Sequence, residues 1–98
     1  MSTYCFDIDG TICDTPNANY GESIPNINRI KKINSLYFSG NTIILFTARG
    51  STTGIDWSDL TSKQLDSWGV NYHKLYFGKP FADFYIDDKG ISDGEFFA

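Results

Sequence analysis

The run Thr42-Ile43-Ile44-Leu45-Phe46 constrains this chain more than any other feature. It is short, β-branched and apolar without alternation, the pattern of a strand buried on both faces, as in a parallel sheet. Amphipathic stretches flank it. Before it, Ile24, Ile27, Ile30 (or the stem of Lys31), Ile33, Leu36 and Tyr37 recur at spacings of three and four. Pro25 there suits a first helical turn, and Gly40 suits the position past the end. After it, Trp57, Leu60, Gln64, Leu65 and Trp68 share one side of a second helical pattern, which Gly69 ends. Thr3 to Ile8, Lys74 to Phe77 and Phe84 to Ile86 read as further strands. The order β-α-β-α-β-turn-β predicts an α/β fold, a Rossmann-like open parallel sheet of about four strands with right-handed crossovers. With 98 residues, the expectation is one domain over 1–98.

Composition narrows the function classes. The net charge of -4 argues against nucleic-acid binding through phosphate neutralisation. Arg29, Lys31 and Lys32 form the one basic cluster, and in a helical pattern it reads as a solvated face. The longest apolar run, Ile43 to Phe46, is far short of the roughly 18 residues a membrane span needs, so no membrane partner is expected. Met1-Ser2-Thr3-Tyr4 lacks the basic and apolar regions of a signal peptide. Cys5 and Cys13 have neither zinc-site spacing nor a disulfide framework around them, so a reducing cytoplasm is the expected location.

Four polar features fall at predicted carboxyl ends of strands. They are Asp7, Asp9, Gly10 and Thr11 after the first strand, Thr47, Ala48 and Arg49 after the second, Lys79 after the third, and Asp87 and Asp88 after the fourth. In an open α/β sheet such ends converge on one crevice. Clustered carboxylates repel one another unless a cation joins them, and oxygen donors without His or Cys select a hard ion such as Mg²⁺. A lysine, a hydroxyl and the N–H groups of a tight glycine turn suit a phosphate dianion. One carboxylate can attack phosphorus, and a second can protonate the leaving oxygen and then activate water.

These residues resemble the haloacid dehalogenase superfamily of phosphotransferases. Its first motif, Asp-x-Asp-Gly-Thr after a strand, corresponds to Asp7-Ile8-Asp9-Gly10-Thr11. Its second, a Ser or Thr ending an apolar strand, corresponds to Thr47; its third, a lysine, to Lys79; its fourth, an acidic pair after an apolar strand, to Asp87-Asp88. The resemblance spans residues 3 to 88. It implies that Asp7 is the nucleophile of an aspartyl-phosphate and that Asp9 is the general acid and base. It further implies that Thr47, Lys79 and the Ala48 and Gly10 backbone hold the phosphoryl group. Mg²⁺ would sit on Asp7, the Asp9 carbonyl, Asp87 and Asp88. An Asp at position 9 favours turnover by water. Arg49, two residues past Thr47, is a candidate substrate contact beside the plainer reading of a solvated loop arginine.

Plainer readings stand beside the others. Asp7 and Asp9 could only cap a strand end, and Thr47 and Lys79 could be ordinary strand-end and turn residues. A calcium loop fails, because Gly10 is fourth from Asp7 rather than sixth. A receiver domain fails because its acidic pair ends the first strand. His73 and Cys13 read as residues without a catalytic role, and Trp57, Trp68, Tyr37 and Phe38 as core.

The resemblance also shows what is missing. Only residues 12 to 24 separate the first motif from the next helix, which predicts a capless member. Water must then be excluded by that loop, the substrate or another subunit. Seven residues separate Lys79 from Asp87, too few for a helix and a strand. Both full helices are then expected on one sheet face, with only the Phe96-Phe97 tail to cover the other, and a homo-oligomer covering that face is expected. The sequence reads as a Mg²⁺-dependent phosphatase of a small phosphomonoester, with a sugar phosphate suggested by likeness to small hydrolases near capsule and polysaccharide genes. The alternatives are phosphotransfer to a sugar acceptor and a non-enzymatic phosphate- and Mg²⁺-binding protein.

Overall fold

The computed structural model describes residues 1–51, 53–78, 84–86 and 91–98, with Ala18 and Tyr85 described by backbone alone. The parallel sheet comprises β1 (Thr3–Asp7), β4 (Thr42–Phe46), β5 (Lys74–Tyr76) and β6 (Phe84–Ile86). Its order is β5-β4-β1-β6, so β1 is paired on both sides. Register sets Asp7 opposite Phe46 and Phe6 opposite Ile86, which aligns the carboxyl ends of the three strands. The α/β parallel architecture is the one expected.

Strand alternation divides the core. Phe6, Ile43 and Leu45 pack with Ile30 and Ile33 of α1 (Ile27–Phe38) and Leu65 of α2 (Ser58–Ser67). Both helices therefore cover one face, as right-handed crossovers running in one direction require. Cys5, Ile44 and Phe46 form a second cluster on the opposite face. They are 0%, 8% and 6% exposed in the single chain, so the centre of that face is not bare.

The tail also departs from expectation. A short helix, α3 (Asp93–Phe96), sets Phe96 against Tyr4 and Phe6 at ring separations of 5.9 and 5.5 Å, and Phe97 5.9 Å from Phe6. Tyr4 and Phe6 lie on the helix-covered face, so the tail joins α1 there instead of crossing to the other side. Arg29 lies over the Phe97 ring and bonds Asp93 at 2.7 Å, and Lys32 lies over Phe96. Phe96 and Phe97 are half-buried in that position.

Helix α1 starts later than its stripe predicts. Ile24 and Pro25 form β3 (Ile24–Pro25), antiparallel to β2 (Cys13–Asp14), and the Asn26 side chain caps the helix by accepting the Arg29 N–H at 3.2 Å. Ile24 and Ile27 are exposed, and burial begins at Ile30. The Asn26 N–H donates to the Ile12 carbonyl at 2.9 Å, so pairing with the preceding ribbon outweighs the local helical pattern.

Some aromatic expectations also change. Phe38 is 75% exposed, and Trp57 is half-buried with its ring edge against Tyr20, so neither is core. His73, exposed as expected, pairs with Ile43 through backbone and ring nitrogen and stacks on Tyr37. Both cysteines are buried, and neither is in a disulfide. Among the described residues, no helix is long and apolar enough to cross a membrane.

Candidate active site

Strand β1 delivers Asp7 to the carboxyl edge of the sheet, where its carboxylate accepts the Ile8 N–H at 2.8 Å. The chain then turns sharply. The Thr11 and Ile12 N–H groups both donate to the Ile8 carbonyl, and Gly10 N–H donates to Cys13 O at 2.9 Å. Gly10 sits at φ +81°, the left-handed region that suits glycine. This turn brings Asp9 back toward the sheet edge. Asp7, Asp9 and Gly10 line a cleft of about 410 Å³ with Tyr20, Ala48 and Arg49. Residues following the first and second strands are thus brought together.

Thr47 is 1% exposed. Its hydroxyl accepts the Arg49 N–H at 3.1 Å and lies 3.5 Å from Asp9 Oδ2. Ala48 is the exposed member of that strand end and lines the cleft. Lys79, Asp87 and Asp88 lie outside the described residues.

Arg49 is buried at the cleft rather than a solvated loop arginine. Its residue is 3% exposed, and each of its five N–H groups has an acceptor. Nε donates to Asp9 Oδ2 at 2.9 Å and Nη2 to Asp9 Oδ1 at 2.8 Å, a bidentate pair. The remaining donors go to Ser23, Thr61 and Gln64. Burial of so polar a group requires such complete pairing, because an unpaired guanidinium N–H away from water is costly.

Asp9 receives more than Arg49. Thr15 donates to Oδ1 at 2.6 Å, and the Cys13 thiol lies 3.7 Å from the same oxygen. Burial pushes the Asp9 carboxyl up, but the hydrogen bonds from Arg49 and Thr15 and the Arg49 charge outweigh it and hold it below the usual carboxylate value. Asp9 is therefore held ionised, the form that accepts a proton. Burial pushes the Cys13 thiol up, so it stays protonated and inert.

No protein-family model and no curated protein matches the sequence. Solved structures do. A structural-genomics target from Vibrio cholerae is 26% identical with a TM-score of 0.78, over 100% of this chain and 89% of that one. A D,D-heptose 1,7-bisphosphate phosphatase from B. bronchiseptica, complexed with magnesium and phosphate, is 18% identical with a TM-score of 0.58 over 85% of this chain. The fold is haloacid-dehalogenase-like. The counterpart phosphatase from Burkholderia thailandensis is 19% identical with a TM-score of 0.54 over 79% of this chain. This chain spans 52% of each of those two phosphatase chains.

Asp7 and Asp9, the aspartates at the carboxyl end of the first strand, share one cleft. A hard cation fits the oxygen-only donors present, the half-buried Asp7 carboxylate and the Asp9 carbonyl. Among the described residues, no three metal-ligating side chains cluster. Ile86, the last residue of β6, lies opposite Phe6, and Asp87 and Asp88 follow it in sequence.

The sequence reading missed Thr15, Tyr20, Ser23 and Thr61 as neighbours of the site. One signal was present. Gln64 interrupts the apolar side of the second helical pattern, and a polar residue there needs a buried partner.

Proposed function

We propose that this chain is a capless, Mg²⁺-dependent phosphatase that hydrolyses a phosphomonoester through an aspartyl-phosphate on Asp7. The observation that carries this reading is the shared cleft. Asp7 and Asp9 come from one strand end, and Ala48 and Arg49 from the strand paired with it.

In this reading Asp7 attacks phosphorus and the bond to the leaving oxygen breaks. The Ala48 and Gly10 backbone and Thr47 orient the phosphoryl oxygens, together with Lys79. Asp9 gives the leaving oxygen a proton, then takes one from the water that attacks the aspartyl-phosphate. The ionised Asp9 described above suits the second of these steps. The first requires Asp9 to take up a proton from solvent as substrate binds, which loosening one of its bonds to Arg49 allows. Asp7, the Asp9 carbonyl, Asp87 and Asp88 would hold Mg²⁺, which when bound offsets the repulsion between nucleophile and phosphate.

A small ester, with a sugar phosphate first among candidates, suits the open cleft, and the heptose bisphosphatase neighbours are consistent with that choice. A cytoplasmic location suits two buried cysteines that form no disulfide. A panel of phosphate esters assayed with Mg²⁺ tests the reading. Turnover that EDTA removes and Mg²⁺ restores is expected. Phosphate and Mg²⁺ binding with no turnover on any ester would overturn it in favour of a binding protein.

A further inference from the structure

Helix α2 carries two polar side chains on its inward side that belong to no catalytic motif. Thr61 is fully buried, and Gln64 is half-buried. Both accept from Arg49 Nη1, Thr61 Oγ1 at 3.1 Å and Gln64 Oε1 at 2.6 Å. The Gln64 amide donates in turn to the Tyr20 carbonyl, and the Tyr20 ring covers the guanidinium at 4.7 Å. Ser23 accepts from Arg49 at 3.2 Å and shares a 2.7 Å hydrogen bond with Thr15, which itself bonds Asp9.

We infer that Arg49, Thr61, Gln64 and Tyr20 are positioning residues that fix the Asp9 carboxylate and tie the 15–23 loop to α2 as one wall of the site. The inference rests on the phosphatase reading, in which Asp9 moves the protons. The geometry supports it in three ways. All five Arg49 donors are used within the chain, so none is offered to a substrate. A planar guanidinium bonded to both carboxylate oxygens fixes the rotation of Asp9 as well as its position, which a point charge would not. The acceptors that hold the guanidinium come from α2 and from the loop, so both elements fix Asp9 through one side chain.

Step-resolved kinetics with p-nitrophenyl phosphate and Mg²⁺ test this. That leaving group departs without a proton, so Asp9 is needed only to activate water against the aspartyl-phosphate. Loosening the shell slows that second step alone. Thr61→Val and Gln64→Leu should therefore lower kcat and KM together by about tenfold or more, within the range general-base catalysis supplies. kcat/KM should stay near the parent value, and acid-quenched phosphoenzyme should accumulate. Thr61→Ser, which keeps the acceptor oxygen, should restore parental kcat.

A rise in KM with kcat unchanged would show instead that the network contacts substrate and would overturn the inference. A fall in kcat at constant KM, matched by a lower folded fraction in thermal unfolding, would reduce it to a structural role and also overturn it. Failure of the phosphatase reading looks different, because the parent chain itself would then turn over no ester, and the inference falls with it.

Discussion

Arg49 holds both carboxylate oxygens of Asp9, at 2.8 and 2.9 Å, from a side chain with no exposed surface. Arg49→Met would leave the half-buried Asp9 carboxylate without its counter-ion, with the Thr15 hydrogen bond remaining. Breaking a fully buried pair costs about 3–5 kcal/mol, and the 26% exposure of the Asp9 side chain lowers the expectation here to roughly 2–3 kcal/mol. Urea unfolding should show this as a lower midpoint at unchanged slope. Stability within 0.5 kcal/mol of the parent, an order-of-magnitude bound for neutral surface changes, would show that the pair is not maintained in solution.

Gly50 tests the loop after β4. It sits at φ +82°, and a Cβ there would lie 2.1 Å from the Ile55 carbonyl oxygen and 3.2 Å from Trp57. Gly50→Ala combines a left-handed backbone penalty of about 1–2 kcal/mol with a backbone clash. It should destabilise by more than that penalty alone and raise Trp57 solvent exposure, read by fluorescence quenching. An unchanged unfolding midpoint would contradict the loop conformation.

The docked tail carries a pH dependence. The hydrogen bond from Arg29 outweighs slight burial and, with the Arg29 charge, holds the Asp93 carboxyl below its ordinary value. A depressed carboxylate contributes stability that is present above its unfolded pKa of about 3.9 and is lost as pH falls through the folded value. Hydrogen exchange at the Phe96 and Phe97 amides should therefore accelerate below about pH 4 relative to the intrinsic rate. Asp93→Asn should remove that acid-side change, and a variant that retained it would assign it to another group.

The sequence made the sheet legible where burial and local pattern agree. Thr42–Phe46 and Phe84–Ile86 match their predicted bounds, because short apolar runs bounded by turn residues have few alternatives. Ile24 and Pro25 depart from the helical pattern because they pair with Asp14 and Cys13, ten and twelve residues back in the chain, and periodicity does not register such pairing. That Asp7 and Asp9 share one cleft was legible from their place at the carboxyl end of the first strand. The burial of Arg49 was not, because its acceptors lie on α2 and in the 15–23 loop, and one-dimensional order carries no distance between them. Phe96 and Phe97 read as cover for the face opposite the helices because Tyr4, Phe6 and Lys32, which receive them, are far away in sequence.

The role of Asp7 is tested most directly by assaying Asp7→Asn beside the parent chain with p-nitrophenyl phosphate and Mg²⁺. The exchange keeps the shape and one acceptor oxygen, so the fold should persist, with a matching thermal unfolding curve. The account predicts a loss of at least about a thousandfold in kcat and no acid-stable phosphoenzyme, because the amide cannot attack phosphorus. Full turnover by a folded Asp7→Asn chain would contradict it.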